Sequence, residues 1–532
     1  MIAPWRTNEL RFKSSGVTHD PYRDQHVTVT FANDSGDIIR RSAFWDGALD
    51  WAVRFAAPSA GRWRYSVQSS PADPGLDGVS GSIDVVEAKD EPLSIYRHGF
   101  IRPSVSRRHL EHADGTPFFW LGDTHWRFTS ESWDQSNKSG WKSQFRGTVD
   151  LRAEQGFSVY QSNLLGFGDG GATSPIWGTG NPYQQLDIDY VKSELDPRFE
   201  YVAASGLVHA LGLAWYPAVD KDVPGLARLA RYVVARYGSY PMTWTLGGEV
   251  AGYDPQLREQ RINGWRSVAL AIRETNSYRH PLTAHLTNER PLASYYQGED
   301  WLDLTLHQHG HGDLDMGRDH YLSHLETHPG TPLIEGEGMY EGITTVEPVG
   351  RRISTDTMVR QVAYRAIQSG CCGYTYGAQG CWDATWDRNH PVSNWGDLPW
   401  HDGVDLPGGA QMGHLRRFYE SLPWTQLRPD DAVFDAGGMI NAVFYPPAVT
   451  ATPNRRVVVA YFGETYRNGE GAPRLVGLTD GAYRLRWFDP RTGAYLGQAH
   501  VLHTVDGQVD VPAKPDNASD WILVAEDVSA VS

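Results

Sequence analysis

Cysteine is nearly missing from this chain: three residues in 532, two of them adjacent at Cys371 and Cys372 and the third at Cys381. Three cysteines cannot form the disulfide framework of a secreted scaffold, and vicinal thiols fit tetrahedral zinc poorly, so they read as buried free thiols. No apolar run reaches the length of about 18 residues that suggests a membrane span. The N-terminus also lacks a basic segment leading into a long apolar one, and the expectation is a cytoplasmic chain with no membrane partner. Basic charge is in short supply: 48 Lys and Arg against 64 Asp and Glu leave a net charge of -16. That balance offers no basic face to a phosphate backbone and excludes nucleic acid as a partner. A Gly-x-Ser-x-Gly nucleophile elbow and a phosphate-binding loop with its lysine are both missing. The one glycine-rich stretch, Gly166 to Gly171, runs into Ala-Thr-Ser-Pro and not into a helix that would receive a pyrophosphate. Nothing in these patterns calls for a cofactor or a metal, and they do not reveal the oligomeric state.

Aromatic residues are abundant: 20 Trp, 26 Tyr and 17 Phe, 12% of the chain. Their flat apolar faces and polar edges suit stacking on sugar rings, and they equally suit core packing. At roughly 150 residues per domain, the length implies about three domains.

The patterning divides the chain in that way. Residues 1–96 alternate apolar and polar positions in short runs (27–31, 52–55, 63–67, 82–86) broken by turn residues such as Asn33, Gly36, Pro58 and Gly75. That rhythm implies an N-terminal immunoglobulin-like β-sandwich. Residues 97–425 change to apolar strands alternating with amphipathic helices. The strands predicted are 117–122, 157–161, 209–215, 242–246, 281–285, 302–306, 332–334 and 373–376. Helices are predicted from Asp222-Val-Pro224, from Asp254-Pro255, and over 355–369 with a stop at Gly370. Eight strand and helix alternations over about 300 residues are the pattern of an α/β fold, a central (β/α)8 TIM barrel. Residues 426–532 return to short alternating strands (440–444, 456–461, 483–488, 521–524), a second β-sandwich.

Residues 331–342 carry the densest chemistry. The apolar run Pro332, Leu333, Ile334 leads into Glu335, Glu337 and Glu341 among glycines. Carboxylates at the C-terminal end of a barrel strand face the mouth where such folds place their active sites; the plainer reading is helix caps or solvent-facing acids. Strand counting puts Glu249, after Gly247 and Gly248, at the end of the fourth strand and Glu337 at the end of the seventh. A glycosidase needs one carboxyl group to protonate the leaving oxygen and a second to attack the anomeric carbon or activate water. Glu249 is therefore assigned as acid/base and Glu337 as nucleophile, in a retaining mechanism. Glu335, two residues away, points the same way if the strand runs on regularly, which makes it the competing nucleophile or a substrate ligand.

Other strand ends supply candidate substrate ligands, because hydrogen bonding to several ring hydroxyls needs a convergent polar set. These are Asp123, His125 and Trp126 after the first strand, Asn163 after the second, His285 at the end of the fifth, His307, Gln308 and His311 after the sixth, and Tyr376 at the end of the eighth, with Tyr340 and Glu341 after the seventh. The run from His307 through His309 to His311 also suggests a metal-dependent barrel hydrolase, since clustered imidazoles can bind zinc. Against it, the first strand lacks the His-x-His pair that such enzymes use. A non-catalytic glycan-binding protein is a further alternative.

Four motifs in order carry a resemblance: Asp114-Gly-Thr-Pro-Phe-Phe-Trp-Leu-Gly-Asp-Thr-His-Trp126, Trp244-Thr-Leu-Gly-Gly-Glu249, Leu302-Asp-Leu-Thr-Leu-His-Gln-His-Gly-His311 and Gly336-Glu-Gly-Met-Tyr-Glu-Gly342. Together they resemble the apiosidase-like (β/α)8 glycoside hydrolase family over residues 97 to 425. The flanking sandwiches are similar to domains that accompany that barrel, the C-terminal one being of a type named for collagen binding. The resemblance implies a carbohydrate substrate, a pentofuranoside of apiose or arabinofuranose kind. It maps the family's acids onto Asp123, Glu249 and Glu337, with Tyr340 and Glu341 completing the last motif. Family members commonly carry Asp where this chain has Glu249 and Pro where it has Gly338.

Overall fold

The computed structural model describes residues 2–166, 183–289, 294–314, 317–437, 446–466 and 471–528. The predicted strand at 440–444 and the glycine run from residue 167 onward lie outside them.

Seven parallel strands form the central sheet, in the order Met242–Trp244, Val208–Gly212, Val159–Asn163, Trp120–His125, Gly373–Tyr376, Leu333–Glu337, Thr305–Gln308. Residues 281–285 lie between the two ends of this order. Leu282 bridges Trp244, and His285 bridges Leu306, both in parallel sense. Two short parallel strands, Ala214–Trp215 and Gly247–Gly248, extend the third and fourth positions upward. The helices between strands begin and end where local chemistry dictates. Asp222 caps the helix Val223–Tyr237 by accepting from the Gly225 amide at 2.9 Å. Leu226, Leu229 and Val233 are buried on the inner face of that helix. Thr355 caps Asp356–Gln368, and Gly370, at φ +96°, turns the chain into the next strand.

Three sequence expectations shift. The run 117–122 is not one strand: Pro117–Phe118 pairs antiparallel with Leu110–His112, and the barrel strand starts only at Trp120. Phe118 and Trp120 both pack into a cluster with Ile101 and Leu110, so the apolar run serves two sheets and bends between them. Asp123 and His125 thus lie within the first strand, not after it. Likewise 302–306 becomes Thr305–Gln308. The helix expected from Asp254 starts at Arg258, because Asp254 uses its carboxylate in a turn with the Gln256 amide.

At the N-terminal end a three-stranded and a four-stranded antiparallel sheet share a core that includes Phe31, Phe55, Trp63 and Val67, with Phe31 stacked on Phe55 at 3.9 Å. At the C-terminal end a six-stranded and a three-stranded antiparallel sheet enclose Leu485, Trp487, Trp521 and Leu523. All three cysteines are free and buried. Among the described residues no helix is long and apolar enough to cross a membrane.

Candidate active site

The strand Leu333–Glu337 does not run regularly to its end. Ile334 packs among the inward-facing residues Trp120, Val159 and Leu306, and Leu333 packs with the helix-side cluster. Alternation would send both Glu335 and Glu337 to the helix side. The register slips by one residue: His307 pairs with Glu335, but Gln308 pairs with Glu337. Gly336 is the extra residue of this β-bulge, and a bulge reverses the facing of everything after it. A Cβ on Gly336 would stand 2.5 Å from Cδ1 of the fully buried Leu306, so any larger residue would have to displace that core side chain. The groups that the bulge frees are satisfied. Gln161 donates to the Gly336 carbonyl at 2.8 Å, and Glu335 Oε1 accepts from the amides of His309 at 2.9 Å and Glu337 at 3.2 Å. Glu335 also accepts from Tyr321 on the helix Arg318–Thr327. The two acids therefore point apart, contrary to the expectation from a continuous strand. Glu335 secures the bulge from the helix side, where burial pushes its carboxyl up to about 8.

Glu337 enters a cleft of about 390 Å³ whose walls include Trp126, Trp215, Trp382 and Trp395. Its carboxylate oxygens meet Gln308 Nε2 at 3.1 Å and the Nε2 atoms of His285 and His311, each at 3.3 Å. The tautomer of His285 follows from its other contact. Its Nδ1 accepts the Glu249 amide at 3.4 Å, which leaves the ring proton on Nε2, facing Glu337. Burial opposes the charge on Glu337, but the two imidazoles outweigh it and hold the carboxyl down at about 2.

Glu249 lines the same cleft from the end of Gly247–Gly248. The glycines before it are required by close packing: a Cβ on Gly247 would stand 2.4 Å from the Ala214 carbonyl, and one on Gly248 would stand 2.6 Å from the Trp215 ring. Glu249 itself has φ +52°, a left-handed conformation that turns its side chain off the strand direction. Burial and the nearby Glu337 charge raise its carboxyl above the ordinary value, opposed by a hydrogen bond from Tyr253.

Of the remaining predicted residues, Trp126, Gln308, His311 and Tyr340 line the cleft with the two acids, and His285 lies beneath it against Glu337. Trp126 Nε1 donates to the Tyr340 hydroxyl at 3.0 Å, and its ring meets His285 edge-on at 5.0 Å. Asn163 is buried between Gly212 and Gly248, with neither carboxamide atom hydrogen-bonded to the protein. The others lie outside the cleft: strand alternation turns Asp123, His125, His307 and Tyr376 to the helix side, and Glu341 follows the strand Leu333–Glu337 and meets Tyr376 there. Asp123 accepts from Arg152 at 2.6 Å and pairs with His125 at 2.9 Å; His125 in turn meets Glu131 at 2.7 Å. Tyr376 donates to Glu341 at 2.6 Å, and the same carboxylate caps the helix Pro407–Glu420 through the Gly408 amide at 2.9 Å. His307 packs edge-on to Tyr321.

Sequence reasoning missed Trp215, Tyr253, Asn288, Trp382 and Trp395, all in the lining. Trp215 and Tyr253 had a signal, being close to the ends of the third and fourth strands. The other three lie on long connections that periodicity does not place. The histidine run parts because the strand ends at Gln308: His307 and His309 lie near Tyr321, whereas Gly310, at φ +86°, turns the chain and His311 lies on Glu337. Among the described residues no three His, Cys, Asp or Glu side chains are grouped to hold a metal ion.

Residues 104–426 match the family model described as apiosidase-like, catalytic domain, and residues 1–70 match a domain family of unknown function, DUF5060. A solved structure described as a candidate glycoside hydrolase from Bacteroides vulgatus aligns over 99% of both chains, with a TM-score of 0.72 and 17% identity. A second, a glycoside hydrolase, covers 82% of this chain and 98% of its own at a TM-score of 0.64 and 21% identity. A family 5 glycoside hydrolase from Bacteroides vulgatus covers 82% and 95% at 0.63 and 19%. These likenesses speak to the fold. No curated protein matched the chain.

Proposed function

The chain belongs to the family of apiosidase-like catalytic domains and is a glycosidase, and we propose that Glu249 and Glu337 perform its hydrolysis at the mouth of a closed (β/α)8 barrel. Closure is supported by the bridges from residues 281–285 to both ends of the parallel sheet.

One observation carries the mechanism: two carboxyl groups share a cleft, and their surroundings push their proton affinities in opposite directions, Glu249 up and Glu337 down. Such a split separates a proton donor from an ionised partner. Glu249 protonates the glycosidic oxygen as its bond to the anomeric carbon breaks, and Glu337 bonds to that carbon. Water, deprotonated by Glu249, then displaces Glu337 with net retention. A retaining pair stands about 5 to 5.5 Å apart. The substrate proposed is a pentofuranoside of apiose or arabinofuranose kind, a reading supported by the family, with the tryptophan walls available to stack on sugar faces.

Glu249→Gln and Glu337→Gln are each expected to cut turnover of aryl pentofuranosides by at least about a thousandfold with an unchanged thermal midpoint. Near-normal activity in either removes that residue from the mechanism. Azide should restore a Glu337→Gly variant as an inverted glycosyl azide. Rescue of a Glu335→Gly variant instead would move the nucleophile.

A further inference from the structure

Tyr253 differs from the other aromatic residues of the cleft. Trp126, Trp215, Tyr340 and Trp382 are buried, whereas Tyr253 is 55% exposed, and its hydroxyl still donates to Glu249 Oε1. The chain is shaped to make that contact. Glu249 at φ +52° and Gly252 at φ +61° are both left-handed, and the Gly252 amide closes the turn on the Glu249 carbonyl at 2.7 Å. Two such positions within four residues bring the Tyr253 ring back over the carboxyl group. A Cβ on Gly252 would stand 2.4 Å from Arg261 Nη1 and 2.7 Å from the Tyr216 ring, so the turn admits no side chain there. Tyr216 meets Tyr253 edge-on at 6.3 Å and is backed by Arg261, which Asp220 holds at 2.7 Å. An exposed ring with this much support behind it has a fixed direction.

We propose that Tyr253 is a positioning residue for Glu249: by donating to Oε1 it confines the transferable proton to Oε2 and aims that proton at the leaving-group oxygen. This rests on Glu249 being the acid/base. In the first half-reaction the proton passes from Oε2 to the glycosidic oxygen, which takes the electron pair of the breaking bond to the anomeric carbon. In the second, Oε2 receives a proton from the water that displaces Glu337. Oε1 stays hydrogen-bonded to Tyr253 throughout, so the carboxyl group need not rotate between the halves.

The charged and titratable groups facing Glu249 are Glu337 across the cleft, His285 beneath, and Tyr253 beside it, with the Arg261 and Asp220 pair behind Tyr216. Of these, Tyr253→Phe removes one hydrogen bond and no formal charge. The test compares methyl and dinitrophenyl glycosides of whichever pentofuranose an aryl-glycoside panel shows to be turned over. With the methyl glycoside, kcat/KM should fall about tenfold, the worth of one hydrogen bond. With the dinitrophenyl glycoside, whose leaving group needs no proton, the first half-reaction should be nearly unaffected. The alkaline limb of kcat/KM should move to higher pH, because the lost hydrogen bond had favoured the ionised carboxylate. An equal loss on both glycosides, no loss on either, or an unmoved alkaline limb overturns the proposal. A Glu249→Gln variant active on the methyl glycoside would instead overturn the acid/base assignment beneath it, so the two failures are distinguishable.

Discussion

His125 shows how burial can create a charge as well as forbid one. Both ring nitrogens face carboxylates, Asp123 and Glu131, and no part of the ring reaches water. Burial works against the imidazolium, but the two acids outweigh it and raise His125 to about 9. The folded value lies above the ordinary 6.5, so the stabilisation is fully present below about pH 6.5 and is lost as pH rises through about 9. Its size is on the order of 3 kcal/mol. Glu131→Gln removes one counter-charge, so the alkaline fall in thermal midpoint should begin at lower pH than in the parent. NMR titration of the His125 ring would report the same shift directly, and an unmoved titration would exclude the ion pair as its cause. Asp123, which the sequence offered as a substrate ligand, is occupied in this cluster by Arg152 and His125.

At the scale of one element, a single inserted glycine decides which acid faces the cleft. Without the bulge at Gly336, Glu337 would lie among the helices beside Glu335. Gly336→Ala drives a methyl group to within 2.5 Å of Leu306 Cδ1, and because Leu306 is fully buried the clash is relieved by displacing either that side chain or the bulge itself. The expected outcome is at least a tenfold loss in kcat together with a midpoint lowered by a few degrees, the scale of about 1 to 3 kcal/mol of overpacking. A variant that loses stability but keeps kcat would show that the bulge is not what orients Glu337. Gly338 has its own reason, since a Cβ there would meet the Tyr374 hydroxyl at 2.6 Å, a contact the proline common in the family would also have to accommodate.

At the scale of the molecule, buried ion pairs key the flanking sheets to the barrel helices. Arg54 and Arg236 share Asp196, and Arg236 also reaches Asp46 at 2.9 Å, joining the N-terminal sheets to the barrel. On the other side Arg360, on the helix Asp356–Gln368, meets Asp520 of the C-terminal region at 2.8 Å, and Tyr461 donates to the same carboxylate. Both partners are buried; Asp356 also meets Arg360 at 2.6 Å and stays in place, so Asp520→Ala removes one of two counter-charges and should cost about 1.5 to 3 kcal/mol. If the C-terminal sheets and barrel unfold together, calorimetry will show one transition moved down. The double replacement Arg360→Met with Asp520→Leu should recover most of the loss. A single variant that separates into two transitions would mean that the two regions are stable independently.

Periodicity along the chain determined the broad layout: short alternating strands at both ends, parallel strands and capped helices between them, and Glu249 and Glu337 at strand ends. These features depend on neighbouring residues, on turn chemistry and on which faces must be apolar, and all of that is written locally. The tertiary structure decided which way the candidate residues face. Asp123, His125 and Tyr376 turn to the helix layer because alternation assigns them there, and where the first strand starts is set by its partners. Glu337 escapes that side only because Gly336 slips against the neighbouring strand. The walls drawn from Trp382 and Trp395, and the return of Tyr253 over Glu249, depend on backbone turns with no hydrophobic period to announce them. Facing is a property of pairing between strands, and a sequence does not state its register.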